Sequence, residues 1–279
     1  MQSTSTLESI LRRDRYIVIA GLAAVVLLAW SYTVFLAWDM RGMGMESGVA
    51  IHSEMAMMDN SVGQTMLMPM TAHWTALDFG LMLSMWAVMM MAMMVPSAAP
   101  MILTFGAFSR KLRERERPYV PTGIFVLGYI AAWGGFALFA TLAQWGLHAT
   151  AFVSPMGVST DAVLGGTLLL TAGIFQWTPL KYSCLTSCRS PLGFLMSEWR
   201  SGSKGALIMG IRHGNYCLGC CWMLMALLFV LGVMNLVWIA ALAGLVMVEK
   251  VVPRGQEVSK LSGIGLAGWG LWMLAGAAI

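Results

Sequence analysis

The residues best equipped for chemistry are five cysteines confined to two short stretches. Cys184 and Cys188 lie in KYSCLTSCRSP with i, i+4 spacing, so a helix through them puts both sulfurs on one face. Cys217, Cys220 and Cys221 lie in HGNYCLGCCW, where His213, Cys217 and Cys221 form an i, i+4, i+8 stripe with Cys220 beside it. Clustered thiols and an imidazole suit Cu(I), Zn(II) or another soft metal. The C-x-x-C spacing of Cys217 and Cys220 also fits a thiol redox pair. Spacing leaves both readings open. A single buried cysteine is ordinarily a small hydrophobe, but five in two segments that face one side suggest a shared metal or redox site.

Methionine is the second unusual supply, at 26 residues. The stretch from Asp39 to Thr71 holds Met40, Met43, Met45, Met55, Met57, Met58, Met66, Met68 and Met70, with His52 inside it and His73 just beyond. A loop in water has no packing reason to hold so many thioethers, which are neutral, soft ligands that favour Cu(I). A cap that packs on the membrane domain, with Met as adaptable filler, is the alternative. Further along, LMLSMWAVMMMAMMVP places Met82, Met85, Met89 and Met93 at i, i+3, i+7 and i+11, one face of a helix, flanked by Met90 and Met94. Such a line could pass a soft cation along by ligand exchange, or simply pack. Asp78, one turn into the same segment, is a candidate because a carboxylate in a membrane is costly.

The elements that must position these groups are membrane helices. Hydrophobic residues make up 58% of the chain and charged residues 11%, far below the ~25% of soluble domains. Apolar runs of about 20 residues recur. They predict an all-α, polytopic transmembrane bundle of about seven spans: Tyr16 to Trp38, Trp74 to about Pro96, Thr122 to His148, Asp161 to Leu180, Tyr216 to Met234, Asn235 to Val252 and Leu261 to Ile279. The first is too long for a signal peptide and lacks a small-residue cleavage site. With the N-terminus in the cytoplasm, 16 of the 17 Lys and Arg fall inside, leaving Arg41 alone outside. The stretch to Ser109 overruns one span, and Pro96 and Pro100 interrupt it, so a kinked or interfacial continuation is expected. The whole chain, 1–279, reads as one integral membrane domain, with a Met-rich external loop at 39–71 and a cytoplasmic Cys-containing loop at 181–212. Gln144 and Gln176 can bond across helices. Glu249 and Lys250 read as an ion pair or as groups snorkelling to the interface.

Several chemistries are excluded. There is no P-loop, dinucleotide fingerprint, HExxH or GxSxG motif. RKLRERER mixes acid with base as an interfacial helix does, and no nucleic-acid partner is expected.

MWAVMMMAMMVPSAAP, QWTPLKYSCLTSCRSP, GNYCLGCCWMLM and a late EK pair resemble a bacterial family of predicted metal-binding integral membrane proteins, over about Trp74 to Lys250. The resemblance implies that Cys184, Cys188, Cys217, Cys220 and Cys221 belong to the family's signature. The Met-rich loop lies outside it. By analogy of chemistry only, eukaryotic copper importers set Met-rich segments above membrane MxxxM pairs such as Met85/Met89. Mercury-transport membrane proteins likewise use paired cysteines, as Cys220 and Cys221 are paired here.

The expectation is a multi-pass protein of the bacterial inner membrane, in contact with lipid, that binds a soft metal ion. Copper as Cu(I) is expected first, with zinc or another soft metal as the alternative. Its role would be transport, or delivery involving a metallochaperone or a membrane cuproenzyme. The enzyme alternative is a membrane thiol-disulfide oxidoreductase using Cys217/Cys220 or Cys184/Cys188. Disulfide generation would be misplaced on the reducing side. A non-catalytic assembly subunit is the third reading.

Overall fold

The computed structural model describes residues 16–38, 75–113, 122–149 and 162–277, and among them every regular element is a helix. In chain order they are α1 (Tyr16–Trp38), α2 (Ala76–Arg113), α3 (Thr122–Ala149), α4 (Ala162–Phe175), α5 (Pro179–Arg189), α6 (Pro191–Glu198), α7 (Gly202–Ala226), α8 (Leu228–Leu231), α9 (Leu236–Val251) and α10 (Gly255–Ala277). Met43, Met45, His52, Met55, Met57, Met58 and His73 lie outside the described residues.

Among the described residues, four helical stretches are long and apolar enough to cross a membrane: Tyr16–Trp38, Ala76–Arg110, Thr122–Leu147 and Gly202–Leu231. Counting the bent pair α4 and α5 as one broken span gives five. The expected seven are therefore seen only in part. At 16 residues α9 is roughly 24 Å long, short of a hydrocarbon core of about 30 Å. α10 has the length, but its first turns carry Gln256, Glu257 and Lys260.

Several boundaries differ from expectation; α10, for one, begins at Gly255 and not at Leu261. The span placed at Asp161 to Leu180 breaks after Phe175 and turns by 63° into α5. Pro179 occupies the first turn of α5, where its missing N–H costs nothing, and the Thr178 side chain accepts the Lys181 backbone N–H. The span expected from Tyr216 begins instead at Gly202, because Lys204 and Arg212 sit on exposed positions of a helix whose other face is apolar.

α2 is one helix of 38 residues that continues through both prolines. Pro96 has no N–H to give the Ala92 carbonyl four residues back. Trp30 of α1 supplies the missing donor, its Nε1 reaching Ala92 O at 3.1 Å. Otherwise α1 is peripheral and mostly exposed, with Leu27, Leu28 and Trp38 open to the surroundings.

The centre of the fold is α7. Its buried positions, Ala206, Met209, Gly210, His213, Gly214, Cys217, Cys220, Cys221, Leu224 and Met225, recur with helical period and form one continuous face. Glycine lets α3 approach that face backbone to backbone. A Cβ on Gly210 would collide with the Phe125 carbonyl oxygen, and one on Gly128 with that of Leu207. Packing through small residues is how membrane helices gain close contact without a hydrophobic driving force.

Candidate metal centre

The cysteines of both stretches meet at one place. Cys217, Cys220 and Cys221 lie on the buried face of α7, each at most 1% exposed. α5 crosses beside them and presents its own pair from the half-buried side. Cys188 lies against Cys220, and Cys184 packs so closely on Gly219 that a Cβ there would stand 2.6 Å from its sulfur. All five are free thiols. The α7 thiols turn partly onto their own helix, with Cys220 and Cys221 donating to the Cys217 carbonyl at 3.0 and 2.9 Å.

α2 brings the methionines. Met82, Met85, Met89 and Met93 are all 5% exposed or less, so the expected stripe faces the core. Met94, beside that stripe, carries it to the cysteines: its Sδ lies 3.9 Å from Cys221 Sγ. Two sulfurs bound to one ion at ~2.3 Å and a tetrahedral angle stand about 3.8 Å apart, so this pair has the spacing of shared ligands. The Met94 carbonyl also accepts from Tyr129 OH at 3.1 Å and from Ser97 Oγ at 2.9 Å, which ties α2 to α3 at this level.

Polar groups close the site. Tyr129 OH lies 3.1 Å from Cys217 Sγ. Lys250 of α9, 8% exposed, donates to Cys217 Sγ at 2.8 Å and to Ser97 Oγ at 3.0 Å. His213 sits one turn before Cys217, its ring among those of Phe125, Tyr129 and Phe194, with centroids 6.0, 5.8 and 5.5 Å away. Its buried Nδ1 has no hydrogen-bond partner. Among the described residues, no three His, Cys, Asp or Glu side chains converge as a metal-holding set. The donor set present is sulfur-rich and low in charge.

A family model described as PpoB2, copper chaperone, matches residues 83–273. The chain belongs to this copper chaperone family. The match contains α5, α7, α9 and the methionine face of α2 from Leu83 onward, hence every group that meets at the cysteines. No curated protein and no solved structure matches. The donors fit the family's metal: thiols and a thioether are the soft ligands that favour Cu(I) over hard cations.

Other candidates stand apart from this centre. Asp78 accepts the Thr75 N–H at 2.8 Å and its hydroxyl at 2.7 Å, while Thr75 Oγ1 accepts the Asp78 N–H at 3.3 Å. This reciprocal pair caps the start of α2, about 24 Å along the helix from Met94. Glu249 and Lys250 are not paired with each other. Neighbours on a helix point about 100° apart, so Glu249 turns instead to Lys181 of α5 at 2.8 Å, both side chains buried. Gln176 accepts from Lys181 and from Ser259, so it bonds across helices as expected, and Gln144 Oε1 accepts from Trp86 Nε1 at 2.7 Å.

Ser97 and Tyr129 are members of the site that the sequence reading does not name; Met94 is named there only as flanking the methionine face, and Lys250 only with Glu249. The late EK pair was the one available signal for Lys250. Tyr129 and Ser97 carry no local pattern, because each reaches the cysteines from another helix.

Proposed function

We propose that this chain is a multi-pass protein of the bacterial inner membrane that binds Cu(I) through sulfur and passes it to a membrane cuproenzyme or across the membrane. One observation carries this reading. Met82, Met85, Met89 and Met93 are buried along one face of α2, and Met94 beside that face touches the cysteine cluster through its 3.9 Å contact with Cys221. A helix interface needs apolar volume, and Leu or Ile supplies it. Membership of the copper chaperone family supports the use of sulfur here as a ligand.

In this mechanism Met82, Met85, Met89 and Met93 hold the ion in turn, each a weak neutral ligand that releases easily. Met94 hands it to the α7 thiols, two of which hold the ion at a time: Cys217 and its neighbour Cys221, which Met94 touches. Cys188 and Cys184, half-buried on α5, are the exit toward a partner. His213, with its free Nδ1, is a further donor on the same face. Met43, Met45, His52, Met55, Met57, Met58 and His73 serve capture on the outer side in a seven-span arrangement with the N-terminus in the cytoplasm. Cysteine accessibility labelling across sealed vesicles tests that orientation: Cys184 and Cys188 react from the cytoplasmic side only.

The ligand reading is tested by Cu(I) titration of the detergent-purified protein against a chromogenic Cu(I) chelator. Replacing the three α7 cysteines by serine removes competition with the chelator. Replacing Cys184 and Cys188 leaves binding but slows transfer to an acceptor.

A further inference from the structure

The cysteine cluster has a cation built into it. Lys250 is 8% exposed, and its ammonium donates to Cys217 Sγ at 2.8 Å and Ser97 Oγ at 3.0 Å. The ion pairs among the described residues are Lys181 with Glu249 and Arg212 with Glu198, so Lys250 is left without a carboxylate. A cation with no carboxylate in a low-dielectric core is costly unless another negative group faces it. Here that group is the sulfur site.

We propose that Lys250 is a fixed counter-charge that makes the site select monovalent over divalent soft ions, a step that rests on the metal-binding reading above. No three His, Cys, Asp or Glu side chains converge among the described residues, so one ion draws on Cys217 and a single neighbouring thiol, with the uncharged Met94 sulfur in reach. A monovalent ion on two thiolates carries one net negative charge, and Lys250 brings the core to neutrality. A divalent ion on the same thiolates is already neutral, and Lys250 leaves the core with an uncompensated positive charge. Softness alone admits both kinds of ion. The ammonium separates them.

The test uses Ag(I) as the monovalent probe and Cd(II) as the divalent one. The full-length reduced protein in detergent is offered equimolar mixtures under anaerobic conditions, and the bound metals are counted by mass spectrometry after desalting. Wild type takes Ag(I) in preference. In Lys250→Met the Ag(I):Cd(II) ratio falls by on the order of tenfold or more, as expected when a buried charge changes from compensated to not. Lys250→Arg keeps the charge and keeps the preference. Ser97→Asp places a carboxylate beside the intact lysine, cancels its charge, and lowers the ratio as Lys250→Met does, so it carries the test should Lys250→Met not fold. An unchanged ratio in a folded Lys250→Met or Ser97→Asp overturns the proposal. So does a Lys250→Arg variant that loses the preference, since shape and not charge would then be responsible. Wild type that binds neither ion is the failure of the metal-binding reading itself.

Discussion

Met94 of α2 and Cys221 of α7 stand with their sulfurs 3.9 Å apart, 127 residues distant in sequence. Both are fully buried. This contact joins the methionine face of α2 to the cysteines of α7, and on the proposed route Met94 is the point at which an ion passes between them.

Met94→Leu tests that role. The substitution nearly conserves volume, so it costs under ~1.5 kcal/mol and leaves the fold intact. It removes the thioether that contacts Cys221. Transfer of Cu(I) from a donor onto the cysteines slows by on the order of tenfold, while equilibrium binding at the cysteines persists. Stopped-flow transfer measurements check this, and an unchanged rate would remove Met94 from the route.

The α3–α7 contact makes a prediction about stability. Gly210→Ala drives a methyl group into the Phe125 carbonyl oxygen, where backbone must shift, and destabilises the protein by about 1–3 kcal/mol. Gly134→Ala, on the same α3 with open space around it, is neutral or slightly stabilising. Thermal unfolding in detergent separates the two. Because α7 carries the site, Gly210→Ala also weakens metal retention on heating.

How much of this was legible in the sequence depends on whether a signal is local. Cys184 with Cys188, and His213 with Cys217 and Cys221, were readable because i, i+4 spacing fixes a shared face whatever the helix packs against. The methionine face of α2 was readable for the same reason. The break between α4 and α5 had a local signal too, the Thr178–Pro179 cap and first turn, but a hydropathy window passes over it. Met94, Tyr129, Ser97 and Lys250 were not legible as one site. They come from α2, α3 and α9, and only the tertiary arrangement brings them to Cys217 and Cys221. Glu249 and Lys250 show the limit plainly: adjacency in sequence suggested a pair, and helix geometry sends them to different partners.

The Lys181–Glu249 bridge is a structural element beside the site, and its removal has a definite sign. Glu249→Gln leaves the Lys181 ammonium buried without its counter-charge and destabilises the protein by roughly 3–5 kcal/mol. Replacing both residues by apolar ones of similar size, Lys181→Met with Glu249→Leu, recovers most of that loss. A thermal-unfolding double-mutant cycle measures the coupling. Additive losses would contradict the bridge.

The most direct test of the central claim is the copper content of the detergent-purified protein after anaerobic Cu(I) loading, beside a variant with all five cysteines replaced by serine. The account predicts near-stoichiometric copper in the wild type and its loss in a folded variant. Copper absent from the wild type, or bound undiminished without the cysteines, would contradict it.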